Sequence, residues 1–253
     1  MRKLFIIGIG AGDPDYVTIQ AIKALNQVDV YFVVEKGSEK DGLARLRREV
    51  CERFVEGRRY RMVSIQDPER DRTATAYRAA VDDWRRRRAE AYEAAIRDRL
   101  ADGECGAFLV WGDPAIYDST LAIVEEILAR GAVTFEYEVI PGISSVQALA
   151  AKHKVALNRV GEPIQITTGR RLAQTPPDEV ENVVVMLDAD GAFKGMVEDG
   201  VNIYWGAYVG TDDEILVAGA LPEVADEIAR VRREARERVG WIMDTYLLRR
   251  VRR

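Results

Sequence analysis

Short apolar runs of strand length alternate with segments of helical period through the first half of the chain, and this alternation constrains the fold more than any single residue. Residues 3–8, 29–34 and 106–111 are buried-strand candidates, and 61–65 is a fourth. Between them, 17–25 sets Ile19, Ile22 and Leu25 on one face of a helix. Residues 43–55 place Leu43, Leu46, Val50 and Phe54 at helical spacing, and 75–100 reads as a long helix with a heavily charged middle. Strands separated by helix-length connections form a largely parallel sheet with crossover helices. The expected class is therefore α/β.

The rhythm changes after Asp118. A helix is expected over 119–130, with Ser119 as N-cap and Gly131 as stop. A strand at 135–140, the turn Pro141-Gly142 and a helix at 144–152 follow. Further strands are expected at 164–168, 183–187, 203–209 and 215–221, then a helix from 223 to about 239 ahead of the ending that starts at Gly240. A strand-rich second half suggests a sheet of its own, so we expect two domains, 1–117 and 118–253. A length of 253 residues suffices for two small domains that each bury a core.

Composition removes several classes of function. Cys51 and Cys105 are too few for a disulfide framework and lack zinc-site spacing, which makes a reducing cytoplasm the default location. The apolar run 4–9 is too short for a signal-peptide core, and no run approaches membrane-spanning length. The net charge of −5, from 37 basic and 42 acidic residues, argues against a non-specific nucleic-acid partner. Histidine occurs once, at His153, which removes most metal chemistry and most Ser-His-Asp triads; no metal site is expected.

Gly8-Ile-Gly-Ala-Gly-Asp-Pro directly follows the first strand, and Glu35 ends the second, where a ribose-binding acid belongs in a dinucleotide fold. The spacing fails that fingerprint: the third glycine should fall at position 13, which holds Asp13, and Pro14 delays the helix. Glycines serving only a tight turn remain an alternative. A second Gly-Asp-Pro, Gly112-Asp113-Pro114, follows the 106–111 strand. One such tripeptide is a common turn. Two at strand ends, where open α/β sheets bind ligands, suggest a ligand bearing hydroxyls, an amine and a cation.

The ordered set Gly8–Pro14, Trp111-Gly-Asp-Pro-Ala-Ile-Tyr, Val139-Ile-Pro-Gly-Ile-Ser-Ser, Thr167-Thr-Gly-Arg and Val185-Met186 resembles the tetrapyrrole (corrin/porphyrin) methyltransferases across nearly the whole chain. The resemblance implies a two-domain class III methyltransferase with S-adenosylmethionine in the trough between domains, S-adenosylhomocysteine as product, and a homodimer. Segments 107–114, 118–121, 204–211 and 240–250 point within the family to methylation of ring carbon C-1 of a precorrin, precorrin-5, with loss of an acetyl group as acetate. The chain departs from many relatives at Ala11, where they carry proline. Carried over position by position, the resemblance implies cofactor contacts at Ala11, Trp111, Gly112, Asp113 and Ile116, and at Ser144, Ser145, Met186, Gly210 and Ala218. Helix capping by Ser144 and core packing by Met186 are the structural alternatives.

Methyl transfer from a sulfonium needs alignment more than acid–base help. A macrocycle ringed by carboxylates needs donors at its site, and Arg170 and Arg171, after the Thr-Thr-Gly turn, are the first candidates. Arg85 to Arg88 are a second set, though such a stretch is more often a solvated helix face. Acetyl release needs activated water. Asp13 is the candidate base and Tyr117 a possible donor, while Asp13 serves equally well as a helix cap.

Overall fold

Every strand of the first sheet runs parallel to its neighbours, as alternating strands and helices require. The computed structural model describes residues 1–35, 41–57, 59–68 and 77–251. It divides into two units, Met1–Ile143 and Ser144–Arg253. The first contains β1 (Arg2–Gly8), α1 (Ile19–Leu25), β2 (Val30–Glu35), α2 (Asp41–Phe54), β3 (Arg61–Gln66), α3 (Tyr77–Arg99), β4 (Cys105–Val110), α4 (Thr120–Arg130) and β5 (Phe135–Ile140). Its strand order is β3-β2-β4-β1-β5. Because alternate strand residues face opposite ways, the sheet feeds two cores. Phe5, Ile7, Tyr31 and Leu109 pack with Leu25 of α1 and Val50 of α2. Leu4, Ile6, Phe32 and Phe108 pack with Tyr92 and Ile96 of α3 and Ile123 of α4.

Two local differences from the sequence expectation have identifiable causes. Helix α1 begins at Ile19 rather than 17 because a 3-10 turn, Pro14–Tyr16, intervenes and the Thr18 hydroxyl oxygen caps the Ala21 N–H at 3.0 Å. Tyr77 is the first described residue of α3; the expected start at Thr75 lies outside the described residues. The Ser119 side chain makes no capping bond to α4. The Asp118 carboxylate instead accepts the Thr120 N–H at 2.7 Å, and the Ser119 hydroxyl accepts a guanidinium N–H from Arg88 at 2.6 Å.

The boundary between units also falls later than the expected 117/118. Strand β5 pairs with β1 over six residues, from Arg2↔Phe135 to Ile7↔Ile140, which ties 118–143 to the first sheet. As an edge strand it buries only Phe135 and Ile140, so it lacks the apolar run that marks its neighbours.

The second unit contains α5 (Ser145–His153), β6 (Gln165–Thr168), α6 (Gly169–Leu172), β7 (Asn182–Met186), β8 (Val201–Ala207), β9 (Ile215–Ala220), α7 (Leu221–Val239) and β10 (Asp244–Arg250). Its order is β6-β7-β10-β8-β9, with β6 parallel to β7 and the other pairs antiparallel. Strand β10, which the sequence pattern did not separate from the ending, is central. One face packs Val185, Ile203, Trp205 and Tyr246 with Leu221 and Ile228 of α7. On the other, Val184 and Leu247 meet Val146 of α5. The buried Asp244 accepts from Trp205 Nε1 at 3.0 Å and Arg232 Nε at 2.8 Å, which anchors α7 to the sheet.

Candidate functional site

At the C-terminal edge of the first sheet, three loops meet through glycines. Gly10 and Gly112 form an antiparallel bridge, with the Gly112 N–H donating to the Gly10 carbonyl at 2.8 Å. A β-carbon on Gly8 would lie 2.6 Å from the Gly142 nitrogen and 2.8 Å from the Gly112 oxygen, and one on Gly142 would collide with that same oxygen. Gly10, at φ +81°, also has Tyr16 where its side chain would be. These glycines therefore let the loops after β1, β4 and β5 pack on one another; the tight-turn alternative accounts for much of their presence.

Asp113 locks this junction. Its Oδ1 accepts the Ala115 N–H at 2.8 Å and its Oδ2 the Gly142 N–H at 2.9 Å, so the carboxylate joins the Gly-Asp-Pro loop to the Pro141-Gly142 turn. Around it, Ala11 and Gly112 are buried and Ile116 is half-buried. Trp111 packs against the core of that face, and its buried Nε1–H has no acceptor among the described residues. Tyr117 is 46% exposed and holds a left-handed backbone, φ +52°, which a residue with a β-carbon adopts at a cost. Asp13 caps the 3-10 turn by accepting the Asp15 N–H at 2.9 Å. Helix α1, starting at Ile19, does not open at the glycine loop, and the dinucleotide geometry is absent.

In the second unit, Ser144 is 2% exposed and forms a capping box: its hydroxyl oxygen accepts the Val146 N–H at 3.2 Å, and Gln147 Oε1 accepts the Ser144 N–H at 3.1 Å. Its side chain also contacts Gln147 Oε1. The next residue reaches the sheet, with Ser145 Oγ 3.0 Å from Thr245 Oγ1. Thr245 pairs with Met186 on one side and Gly206 on the other, so Ser145 and Met186 converge on one row of the sheet. A β-carbon on Gly206 would strike Leu149 of α5, so that glycine lets the helix lie close. Ala218 is exposed on the edge strand β9, opposite Tyr204, and Gly210 follows β8 with its N–H on Glu214. Arg170 and Arg171 are exposed on α6, whose first residue, Gly169, packs against the buried Asp188 too tightly for a side chain.

Residues 3–225 match the model of the tetrapyrrole (corrin/porphyrin) methylases. The chain belongs to this family. It is 50% identical to precorrin-6A synthase [deacetylating] of Sinorhizobium sp over 98% of its own length and 95% of that enzyme. Among solved structures it resembles a cobalamin synthesis related protein (CobF) of Corynebacterium diphtheriae, with TM-score 0.86, 36% identity and full coverage of both chains. The fold also matches uroporphyrin-III C-methyltransferase of Thermus thermophilus, solved with S-adenosylhomocysteine, at TM-score 0.58 and 18% identity over 98% and 92% of the two chains.

Viewed as a methylase, the first unit presents a loop junction fixed by Asp113 and, beside it, an unsatisfied indole donor. The Trp111 indole N–H suits a ligand carrying carboxylate or ribose oxygens, because a buried donor without an acceptor costs about 1–3 kcal/mol. The sequence marked Trp111 but not this role, and it did not pair Gly8 with Gly142, which lie far apart in the chain. It also grouped Arg88 with a solvated stretch, although Arg88 is buried.

Proposed function

We propose that this chain is a deacetylating precorrin-6A synthase, an S-adenosylmethionine-dependent methyltransferase that methylates ring carbon C-1 of precorrin-5 and releases acetate. The observation that carries this reading is 50% identity to the Sinorhizobium enzyme over nearly the full length of both proteins. The proposal includes a homodimer, as the resemblance implies, and a reducing cytoplasm, the default for a chain with two cysteines.

S-adenosylmethionine supplies an electrophilic methyl group on sulfur. The chain's task is to hold that group and the macrocycle in line, since alignment gives most of the rate in such a displacement. In the first unit Ala11, Trp111, Gly112, Asp113 and Ile116 are the proposed cofactor contacts. Asp113 does most of its work by fixing the loops, with its second lone pairs left for an amine or hydroxyl. In the second unit Ser145 and Met186 are the strongest proposed contacts. Ser144 serves mainly to start α5, and Gly210 and Ala218 contribute backbone and a small surface. Arg170 and Arg171, exposed on α6, are proposed to meet substrate carboxylates. Asp13 retains a carboxylate oxygen beyond its capping bond and is proposed to take a proton from the water that attacks the acetyl carbonyl, with Tyr117 as donor to that carbonyl. The carbon–carbon bond to the macrocycle then breaks, its electron pair passes into the conjugated ring system, and acetate leaves.

Incubation with precorrin-5 and isotopically labelled cofactor tests the reading by mass spectrometry. One labelled methyl gained and one acetate released per turnover is the expected outcome. Methylation without acetate would assign the chain to another activity of the family. Asp13→Asn should retain methyl transfer but slow acetate release about 10²–10⁴-fold, the usual worth of a general base. Normal acetate release would reduce Asp13 to its capping role.

A further inference from the structure

We propose that Leu187, at the end of β7, is a substrate-binding residue, an apolar wall for the flat face of the macrocycle. Four residues other than glycine hold a left-handed backbone among those described: Tyr117, Lys154, Leu187 and Tyr208. Such a backbone costs any residue with a β-carbon, and a bulky one most. Two of the four recover that cost inside the fold. Lys154 is the C-cap of α5, with its N–H on the carbonyls of Ala150 and Ala151. Tyr208 is buried, its ring T-shaped against Trp241 and its hydroxyl donating to the Trp241 carbonyl. Tyr117 has its proposed role as a donor. Leu187, at φ +53° and 64% exposed, recovers nothing, because apolar surface left in water gains no hydrophobic stabilisation.

The neighbours of Leu187 dictate its backbone. Met186 is held in the sheet, paired with Thr245 of β10 and Thr168 of β6. On the other side, the buried Asp188 carboxylate accepts the N–H groups of Gly191 at 2.9 Å and Ala192 at 2.7 Å, and the Tyr246 hydroxyl at 2.7 Å. The chain must turn between these two anchors, and glycine or asparagine would make that turn with less strain. Leucine there instead holds a large apolar side chain in water at a fixed point. The surroundings indicate what covers it. Thr168 leads into Gly169, which packs on Asp188, and Arg170 and Arg171 follow on α6, both exposed. Leu187 therefore stands beside the segment that carries both arginines. A conjugated macrocycle rimmed by carboxylates presents the same two chemistries, an apolar face and an anionic edge that guanidinium forks recognise. S-adenosylmethionine, with a cationic sulfur and a single carboxylate, matches the two arginines less well.

The choice of a macrocycle as occupant rests on the methyltransferase reading. Absorbance titration of the full chain with uroporphyrin III, a stable carboxylated porphyrin, should give saturable binding. Leu187→Gly relieves the backbone and removes the wall. It should weaken porphyrin binding about 10-fold, the worth of covering most of a leucine side chain. It should also leave S-adenosylhomocysteine affinity unchanged and melt at the same temperature or higher, which a merely structural side chain would not do. Leu187→Met, apolar and of similar volume, should keep most of the affinity. Leu187→Asn, which tolerates the same backbone, should weaken binding like Leu187→Gly and carries the test if the glycine variant does not fold. Weaker S-adenosylhomocysteine binding with unchanged porphyrin binding would give Leu187 to the cofactor and overturn the proposal. A lower melting temperature for Leu187→Gly, equal porphyrin binding by chain and variants, or no saturable binding by the unmodified chain would overturn it as well. Because the titration needs no turnover, the wall can fail while methylation of precorrin-5 stands, and it can succeed on a chain that does not methylate precorrin-5.

Discussion

The two sheets of this protein differ in how their strands reach the centre. In the first, β4 and β1 are central, and each is a nearly continuous apolar run flanked by helices. In the second, the centre is β10, the last strand of the chain, inserted between β7 and β8 after a 19-residue helix. The first sheet also receives its middle strand late, since β4 inserts between β2 and β1, but β5 still follows it at the edge. A sheet whose middle strand comes last is incomplete until the whole unit is present.

The largest test of that contrast is truncation after Gly240, which removes β10. Hydrogen exchange should show loss of protection throughout the second sheet, because β7 and β8 lose the strand that joins them. The first sheet should keep its protected core. Equal loss in both sheets would break the contrast.

A smaller effect is expected at the loop junction of the first unit. Gly142→Ala places a methyl group against the Gly112 carbonyl and should cost about 1–3 kcal/mol or more, with weaker S-adenosylhomocysteine binding. Gly195, with open space around its α-carbon, is the control: alanine there should change melting little. If both behave alike, the convergence of the three loops is not what requires glycine.

The corresponding joint in the second unit is the capping box. Ser144→Ala should lower stability by about 1 kcal/mol. If Ser144 acts only as a cap, Ser144→Asp should restore most of that loss and the cofactor affinity with it. Lost affinity with restored stability would instead return Ser144 to direct cofactor contact.

The smallest effect at neutral pH concerns Cys51. Burial pushes its thiol pKa from an ordinary 9.0 up to about 12, opposed by a hydrogen bond with Tyr31. Being raised in the folded state, this pKa favours folding below about pH 9 and loses that contribution as pH climbs toward 12. A thiol reagent at pH 8 should therefore label Cys51 only after unfolding, and the melting temperature should fall across the alkaline range. Rapid labelling of the native chain would show that the α2 face opens.

Much of the first sheet was legible because its signals are local. Apolar runs of strand length and period-3.6 patterns placed β1, β2, β4 and the helices between them within a few residues. Edge strand β5 was located, yet it was assigned to the wrong side of the boundary, since two exposed faces erase the pattern that marks sheet membership. For the site, the ordered Gly-Asp-Pro loops and the Ser144-Ser145 turn singled out segments that the structure forms into a loop junction and a capping box. Neither revealed that Asp113 and Ser144 are largely occupied by the protein's own backbone.

By itself, then, the sequence determined the α/β class, the two strand-end loops and the family, all of which depend on residue order and spacing. Tertiary structure alone decided that Gly8, Gly112 and Gly142 touch, that β10 lies between β7 and β8, and that Arg88 turns inward while Arg85 and Arg86 face water. Each of those outcomes pairs residues distant in the chain. Their energies come from close packing and desolvation between segments, terms that no local window of sequence contains.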